Sequence, residues 1–151
     1  MSNFFTTDGA AFTSDRDDWE TPQALFDELD AVYHFTLDPC STHANAKCAK
    51  HYTAEEDGLS KSWAGEVVFC NPPYGRNLKE WVRKCYEESK HATIVLLIPA
   101  RTDTAYFHDY IYNKAALQFL RGRLKFERGG VALNSSPFPS MLVFYGVRNE
   151  Q

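Results

Sequence analysis

The sequence predicts an α/β fold with a mostly parallel sheet whose last strands form an antiparallel C-terminal hairpin. Strand-like and helix-like segments alternate between residues 21 and 111, which is typical of strand–helix–strand units. The segment TIVLLIP at 93–99 is almost entirely apolar and rich in β-branched residues, as expected of a strand buried on both faces. The final apolar segments follow one another without an obvious helix, so we expect them to pair as a hairpin at one edge.

The chain of 151 residues has the size of a single domain. Residues 1–18 lack apolar periodicity, so we expect a loose N-terminal arm followed by one domain over 19–151. No apolar run approaches the roughly 20 residues of a membrane span, and the N-terminus lacks the basic and apolar regions of a signal peptide. We therefore expect a cytoplasmic protein without a membrane partner.

A helix is predicted to begin at Thr21 and Pro22, with the threonine as N-cap and the proline in the first helical position. Apolar residues at helical spacing extend it as far as Tyr33. The segment FTLD at 35–38 is predicted to be a short strand. Residues 40–65 are polar, and their pattern is irregular.

The rest of the chain contains two further helices and five strands. Asn77 with Glu80 predicts a helix start with a capping box, and Thr102 or Asp103 predicts the start of a helix that includes Ile111. Strands are predicted at 66–70, 93–99, 116–120, 124–126 and 140–147.

The net charge of −4 is unusual for a protein that binds nucleic acid, but the charges are unevenly distributed. Residues 1–39 carry nine acidic side chains and one basic side chain, so the remaining residues are net positive. Basic residues are concentrated at 114–128, where Glu127 is the one acidic residue. This asymmetry permits a basic face on an acidic protein, although an ordinary solvated surface explains any single charge equally well.

Four cysteines are scattered along a chain without features of secretion, so we expect reduced thiols rather than disulfides. Cys40, His43, Cys48 and His51 have the spacing C-x2-H-x4-C-x2-H, for which zinc binding is an alternative. The order of these residues differs from that of common zinc knuckles, and Cys40 also follows a predicted strand. We therefore expect no metal.

Two unusual segments follow predicted strands. DPC at 38–40 ends the strand at 35–38, and NPPY at 71–74 follows the strand at 66–70. Sheets of this kind bind ligands in the crevice at the carboxyl ends of their strands. We therefore expect both segments to line one site.

The NPPY segment has the groups needed to hold an aromatic amine. The side-chain oxygen of Asn71 and the main-chain oxygen of Pro72 are acceptors, and the rigid turn that includes Pro73 can aim both at one NH2 group. Hydrogen bonds from both amine hydrogens would localise the nitrogen lone pair. Tyr74 offers a flat face on which a base can stack, worth about 1–3 kcal/mol. The alternative is a strand-ending turn with a buried tyrosine.

Several segments together resemble a known family. [DNS]-P-P-[YFW] is the catalytic motif of amino-methyltransferases that use S-adenosylmethionine, and the chain resembles the small phage-type DNA N6-adenine methyltransferases, the Dam-like phage family. The resemblance covers about residues 17–147, and its six segments in register are more specific than NPPY alone. They are WETP at 19–22, LDPC at 37–40 with Asn45, HYTAEEDGL at 51–59, NPPYG at 71–75, PARTDTAYFH at 99–108 and GRLKF at 122–126.

The resemblance implies a class I S-adenosylmethionine-dependent methyltransferase fold, which is a Rossmann-like sheet with a reversed final hairpin. It also implies a cofactor site, to which an aromatic-x-Thr-Pro segment and the end of the first strand contribute in related enzymes. This chain lacks the glycine-rich continuation of that strand and has STHAN at 41–45 instead. Asp57 is a candidate for a contact to the ribose or the amino-acid part. The cofactor-binding candidates are Trp19, Thr21, Pro22, Asp38, Pro39, Cys40, Asn45, Asp57 and Asn71.

The resemblance further implies that double-stranded DNA lies over the carboxyl ends of the strands. The target adenine would be flipped out of the stack at a cost of a few kcal/mol. GATC is the recognition sequence that the resemblance suggests, and a phage-encoded enzyme would act in the cytoplasm of its bacterial host. The catalytic candidates are Asn71, Pro72, Pro73 and Tyr74, and the DNA-contact candidates are Arg101, Arg121, Arg123 and Lys125.

The motif alone leaves the substrate open, because NPPY also occurs in methyltransferases that act on protein glutamine or on guanine of ribosomal RNA. The related cytosine-N4 enzymes generally have serine at the position of Asn71, which argues against that substrate. A catalytically inactive nucleic-acid-binding remnant is a further alternative, against which the intact motif counts.

Overall fold

The computed structural model describes residues 19–146, so the predicted N-terminal arm lies outside the described residues. The helices are α1 (Gln23–Tyr33), α2 (Leu78–Glu88) and α3 (Ala105–Tyr110). The strands are β1 (Val67–Cys70), β2 (Thr93–Pro99), β3 (Ala116–Phe119), β4 (Glu127–Arg128), β5 (Val131–Ala132) and β6 (Ser140–Tyr145), and a 3-10 turn spans Gly58–Ser60. The α/β prediction is confirmed.

Four strands form the central sheet in the order β1-β2-β6-β3. β1 and β2 are parallel, and β6 is antiparallel to both β2 and β3. Three of these four strands therefore share one direction. The antiparallel pairing of the last long strands is confirmed, but its placement differs from the prediction. β6 lies between β2 and β3, so of this pair β3 alone is an outer strand of the sheet.

Apolar side chains cover both faces of the sheet. Neighbouring residues in a strand point to opposite faces, and in β6 Phe144 stacks on Tyr33 of α1 whereas Tyr145 contacts Tyr86 of α2. α1 and α2 therefore pack on opposite faces. β2 is buried at every residue after Thr93, which agrees with its continuous apolar sequence.

Two predicted strands are not formed as predicted. The segment at 35–38 is joined to β1 by an isolated parallel bridge between Leu37 and Val68. The segment at 124–126 is not a strand, and a short hairpin of β4 and β5 follows it. Phe126 is fully buried and packs edge-on against Trp19, with ring centroids 5.6 Å apart, so its apolar character reflects aromatic packing rather than a ladder.

The helix starts also differ from the predicted caps. Pro22 rather than Thr21 is the N-cap of α1, and it makes no side-chain capping bond within the described chain. Asn77 is the N-cap of α2, but its side chain caps no described N–H, so the predicted box is absent there. Thr104 caps α3, two residues later than Thr102. None of the helices described within 19–146 is both long enough and apolar enough to span a membrane.

Candidate active site

The predicted motifs meet at the carboxyl ends of β1 and β2, which we call the carboxyl edge of the central sheet. The opposite edge is the one at which these two strands begin. β1 and β2 are parallel, so the residues that follow them, Asn71 and Arg101, leave the sheet at the same edge. β6 is antiparallel to β2 and β3, so the loop after β3 and the loop before β6 also open there. The parallel bridge of Leu37 to Val68 brings the DPC segment at 38–40 to this edge.

A cavity of about 460 Å³ opens at this edge, within the range of about 300–1,000 Å³ typical of small-molecule sites. As far as residues 19–146 form its wall, Pro22 is the one predicted cofactor residue that does not line it. Pro72 and Pro73 contribute to the wall from the NPPY segment. The remaining predicted residues on the wall are Trp19, Thr21, Asp38, Pro39, Cys40, Asn45, Asp57 and Asn71.

Asp38 holds the loop that forms one side of the cavity. Its side chain is buried, and its carboxylate oxygens accept hydrogen bonds from the main-chain N–H groups of Cys40 (3.3 Å) and Lys47 (2.9 Å). Burial raises the pKa of the Asp38 carboxyl, and these two donors oppose the shift. The carboxylate is thus engaged by the chain's own loop.

Side-chain hydrogen bonds also hold together the segment at 41–45, which replaces the glycine-rich loop. The Thr42 N–H donates to Asn45 Oδ1 (2.8 Å), and the Asn45 N–H donates to Thr42 Oγ1 (3.1 Å). Asn45 Nδ2 lies 3.4 Å from the carboxylate of Glu20, whose other oxygen accepts from the Gly129 N–H (3.1 Å). A tight turn is therefore formed without glycine, and Glu20 links it to the β4–β5 hairpin.

Several wall residues were not among the sequence candidates. A Cβ at Gly58 would lie 2.1 Å from the Pro39 carbonyl oxygen, so the 3-10 turn packs directly against the DPC segment. Leu59 and Trp81 add apolar surface to the cavity. The HYTAEEDGL resemblance already marked Gly58 and Leu59. Trp81 showed only helical apolar periodicity, which is the pattern of an ordinary core residue.

The side chain of Asn71 is held at both ends. Its Nδ2 donates to the main-chain oxygen of Trp19 (2.5 Å) and to Thr21 Oγ1 (2.9 Å). Its Oδ1 accepts a hydrogen bond from the Tyr74 hydroxyl. An amide oxygen has two lone pairs, so Oδ1 can accept from one further donor.

Tyr74 is 8% exposed, and its hydroxyl also lies 3.0 Å from the Leu97 carbonyl oxygen. Burial raises the pKa of this phenol well above its ordinary value. Phe126 and Phe138 pack edge-on against the Tyr74 ring, with centroids 6.0 and 5.7 Å away, and Trp19 packs edge-on against both phenylalanines. We call Trp19, Tyr74, Phe126 and Phe138 the aromatic cluster. In this conformation it encloses the ring of Tyr74.

The carbonyl of Pro72 is the second acceptor that the sequence predicts. Pro72 is buried, whereas Pro73 is exposed. No donor between residues 19 and 146 forms a hydrogen bond with the Pro72 carbonyl oxygen. Within the described chain this oxygen therefore retains its full accepting capacity.

The four predicted DNA-contact residues are exposed on loops at the same edge. The guanidinium of Arg101 lies 5.9 Å from the ring centroid of Phe138, so it flanks the aromatic cluster. Arg121, Arg123 and Lys125 follow β3, and Arg123 donates to a main-chain oxygen of the loop before β6 (3.4 Å). All four of these basic side chains therefore lie on the side of the sheet that carries Asn71.

The cysteine–histidine spacing does not form a metal site in the described chain. Between residues 19 and 146 no group of three or more His, Cys, Asp or Glu side chains is placed to hold a metal ion. His43 Nδ1 is instead 2.8 Å from His51 Nε2, and Cys40 Sγ is 3.8 Å from Cys70 Sγ. The thiols are free. Burial raises the pKa of Cys40 and Cys70, and that of Cys48 to about 12, so these thiols are protonated at neutral pH.

Comparison with known proteins agrees with this arrangement. The profile of the DNA N-6-adenine-methyltransferase (Dam) family matches residues 9–150. The chain is 28% identical over 138 residues to the DNA N-6-adenine-methyltransferase of Haemophilus phage HP1 (strain HP1c1), an alignment that covers 87% of this chain and 80% of that protein. It is 32% identical over 112 residues to the DNA N-6-adenine-methyltransferase of Escherichia phage T1, covering 72% of this chain and 47% of that protein, so it spans less than half of that relative. Because the family profile matches nearly the whole sequence, the chain belongs to the DNA N-6-adenine-methyltransferase (Dam) family.

Proposed function

We propose that this protein is a class I, S-adenosylmethionine-dependent methyltransferase that methylates N6 of a flipped-out adenine in double-stranded DNA. The observation that carries the proposal is the position of Asn71. It follows β1 at the carboxyl edge, lines the cavity beside Pro72, and lies within NPPY in a chain of this family. The two phage relatives are named DNA N-6-adenine-methyltransferases, which favours DNA over RNA or protein glutamine.

The cavity wall suits S-adenosylmethionine. Pro39, Leu59 and Trp81 provide apolar surface for a purine ring, and the exposed carboxylate of Asp57 suits ribose hydroxyls or an ammonium group. When bound, S-adenosylmethionine supplies an electrophilic methyl group on a positively charged sulfur. Pro39, Leu59, Trp81 and Asp57 would hold the cofactor in the cavity that Asn71 also lines.

Asn71 and Pro72 provide the acceptors for the adenine amine. Asn71 Oδ1 keeps one lone pair beyond its bond from Tyr74, and the Pro72 carbonyl has no donor among residues 19–146. Two hydrogen bonds accepted from the NH2 group localise its lone pair on nitrogen. Orientation of the amine supplies much of the rate, because it replaces a bimolecular encounter with a fixed geometry.

The aromatic cluster must open before a base can stack on Tyr74. Phe126 and Phe138 now lie edge-on to that ring, and a base flipped from the duplex has to take the place of one of these contacts. Once the cluster has opened, stacking of the base on the Tyr74 ring returns about 1–3 kcal/mol. Arg101, beside Phe138, provides positive charge where the DNA backbone approaches.

The proposal is tested by measuring N6-methyladenine by mass spectrometry after single-turnover reactions with S-adenosylmethionine. The substrates are a double-stranded DNA library that includes GATC sites, the same DNA as single strands, and the corresponding RNA. We expect methylation of the duplex, and Asn71→Ala should lower the rate about 10²–10³-fold, the usual cost of losing a positioned polar group at a reacting centre.

Asn113→Gly is the matched control, because Asn113 is exposed, lies in the turn before β3 and has a φ of 63° that glycine adopts readily. It should keep the parent rate. Full activity of a folded Asn71→Ala protein would disprove the proposed role of Asn71. Methylation of RNA in place of both DNA forms would assign the chain to the alternative substrate.

A further inference from the structure

The amide of Asn71 has a defined orientation, which its neighbours determine. The main-chain oxygen of Trp19 can only accept hydrogen bonds, so the group that faces it at 2.5 Å must be the NH2 of Asn71. Thr21 Oγ1 accepts the second bond from this NH2 at 2.9 Å. The amide oxygen is thereby directed away from the segment 19–21, towards Tyr74.

The hydroxyl of Thr21 bonds to the amide of Asn71 and does not cap a helix in the described part of the chain. Thr21 immediately precedes Pro22 at the start of α1, where a threonine hydroxyl commonly caps the first turn. The N-cap residue Pro22 makes no side-chain capping bond within the described chain, and the Gln23 N–H donates to the carboxylate of Glu127 (3.3 Å). The hydroxyl of Thr21, which is 3% exposed, accepts from Asn71 instead. Two acceptors from one short segment thus hold both hydrogens of the same amide.

We propose that Thr21, together with the Trp19 carbonyl, is the positioning element that presents the oxygen of Asn71 to the target amine; this inference rests on the function proposed above. An amide that turned by half a rotation would present NH2 to the amine, and two donor groups would then face each other. The Trp19 carbonyl opposes this turn, because it cannot donate to the amide oxygen, and the bond to Thr21 adds to the hold on the NH2 group. The contribution of Thr21 to methyl transfer therefore passes through Asn71.

The orientation has a consequence for an aspartate at position 71. An ionised carboxylate would place an oxygen against the Trp19 carbonyl, so two acceptors would meet without a proton between them. A protonated carboxyl can donate to Trp19 and still offer its other oxygen to the amine. Burial also favours the protonated form. The activity of Asn71→Asp relative to the parent protein should therefore rise as the pH falls and decline as the pH rises.

Single-turnover rates at saturating cofactor and DNA test the proposal in a double-mutant cycle. Thr21→Val should lower the rate about tenfold, and Thr21→Ser, which keeps the hydroxyl, should recover most of it. In an Asn71→Ala background, Thr21→Val should add no more than about a twofold loss, because the group it positions is gone. Thr93→Val is the control for the substitution itself, since Thr93 begins β2 at the opposite edge.

A tenfold loss that persists in the Asn71→Ala background would mean that Thr21 acts directly, and it would overturn the proposal. Asn71→Asp with a pH profile parallel to that of the parent would overturn the orientation. A readout independent of activity is the side-chain NH2 signal of Asn71 in NMR spectra, identified by its loss in Asn71→Asp. Thr21→Val should shift one of its two protons towards the position of a free amide, and two unshifted protons would contradict the inference.

These outcomes are distinct from failure of the proposed function. If the parent protein methylates no nucleic acid, the NMR measurement still decides whether Thr21 orients Asn71. If the parent protein methylates duplex DNA and Thr21→Val does so at the same rate, the positioning inference alone is wrong. If Thr21→Val does not fold, the Asn71→Asp pH profile still tests, with Thr21 intact, the amide orientation on which the proposal depends.

Discussion

The central sheet and the loop at residues 38–60, which we call the cavity loop, are stabilised in different ways. β2 forms a continuous ladder with β1 on one side and β6 on the other, and its side chains are buried. The cavity loop has one isolated bridge of its own, Asp38 to His51, among the described residues. Its shape depends on side-chain bonds to main-chain N–H groups, such as those that Asp38 and Asn45 accept.

We infer from this difference that the sheet is the rigid part of the molecule and that the cavity loop is the part that binds the ligand. Ladder bonds and apolar burial stabilise a sheet whether or not a ligand is present, whereas a polar loop closed by a few local bonds opens at a lower free energy. The cavity wall is built mainly from the cavity loop and the segments at 19–21 and 71–73. We therefore expect the sheet to determine global stability and the cavity loop to respond to the ligand.

The largest effect should come from a substitution in the sheet. Leu96→Ala removes a fully buried side chain from β2 and should lower the free energy of unfolding by about 2–5 kcal/mol. Asn45→Ala in the cavity loop removes local hydrogen bonds and should cost about 1 kcal/mol. Urea denaturation of both variants measures the difference. Equal losses would show that the loop is as important for global stability as the sheet.

Cofactor binding should have an effect of intermediate size on the free energy of unfolding, and the added protection should be concentrated in the cavity loop. S-adenosylmethionine at about 100 times its dissociation constant should add about 2.7 kcal/mol to the free energy of unfolding. Hydrogen exchange should show added protection in the cavity loop, with little change in local opening of β2. The demethylated cofactor product serves as a second ligand. A folded protein whose melting temperature responds to neither molecule would contradict the proposed cofactor site.

The same contrast explains which elements the sequence predicted well. β2 was predicted with the bounds that the structure has, because a strand buried on both faces needs an uninterrupted apolar run. In the segment at 35–38 only Leu37 and Asp38 form bridges, Leu37 to β1 and Asp38 to His51 of the cavity loop. Phe126 suggested a strand, but its burial comes from the aromatic cluster. A side chain's apolar character is visible in the sequence, whereas the partner that buries it is not.

Prediction of the candidate site from the sequence is limited in the same way, because long-range partners are not visible in it. Composition and strand-end position were sufficient to bring Asp38 and Asn71 to one edge, because parallel strands end together. The hydrogen bonds from Asn71 to Trp19 and Thr21 span 52 and 50 residues of sequence. No local pattern indicates such a contact. The resemblance placed these residues near the cofactor, but only the geometry relates them to the orientation of the amide.

The smallest expected effect is on the salt dependence of DNA binding, and it compares basic residues at the two edges of the sheet. The charge asymmetry of the sequence permitted one basic face that includes residues 114–128, but β3 divides this segment. Lys114 precedes β3 and Arg121 follows it, so they lie at opposite edges. Replacing both Arg121 and Arg123 by alanine should reduce the slope of log K for duplex DNA against log salt concentration by about 0.9 for each phosphate that these arginines neutralise. Fluorescence anisotropy over a salt series measures this slope.

Lys90→Ala with Lys114→Ala is the matched control for that measurement. Both lysines are exposed and precede strands that run in the same direction, β2 and β3, so they lie at the edge opposite Asn71. Their removal changes the net charge as much as the arginine pair does. The slope should nevertheless stay close to that of the parent protein, because DNA bound at the Asn71 edge places no phosphate beside these lysines. If the two double variants reduced the slope equally, general charge rather than a defined DNA-binding edge would account for the affinity, and the duplex would have to be placed elsewhere on the molecule.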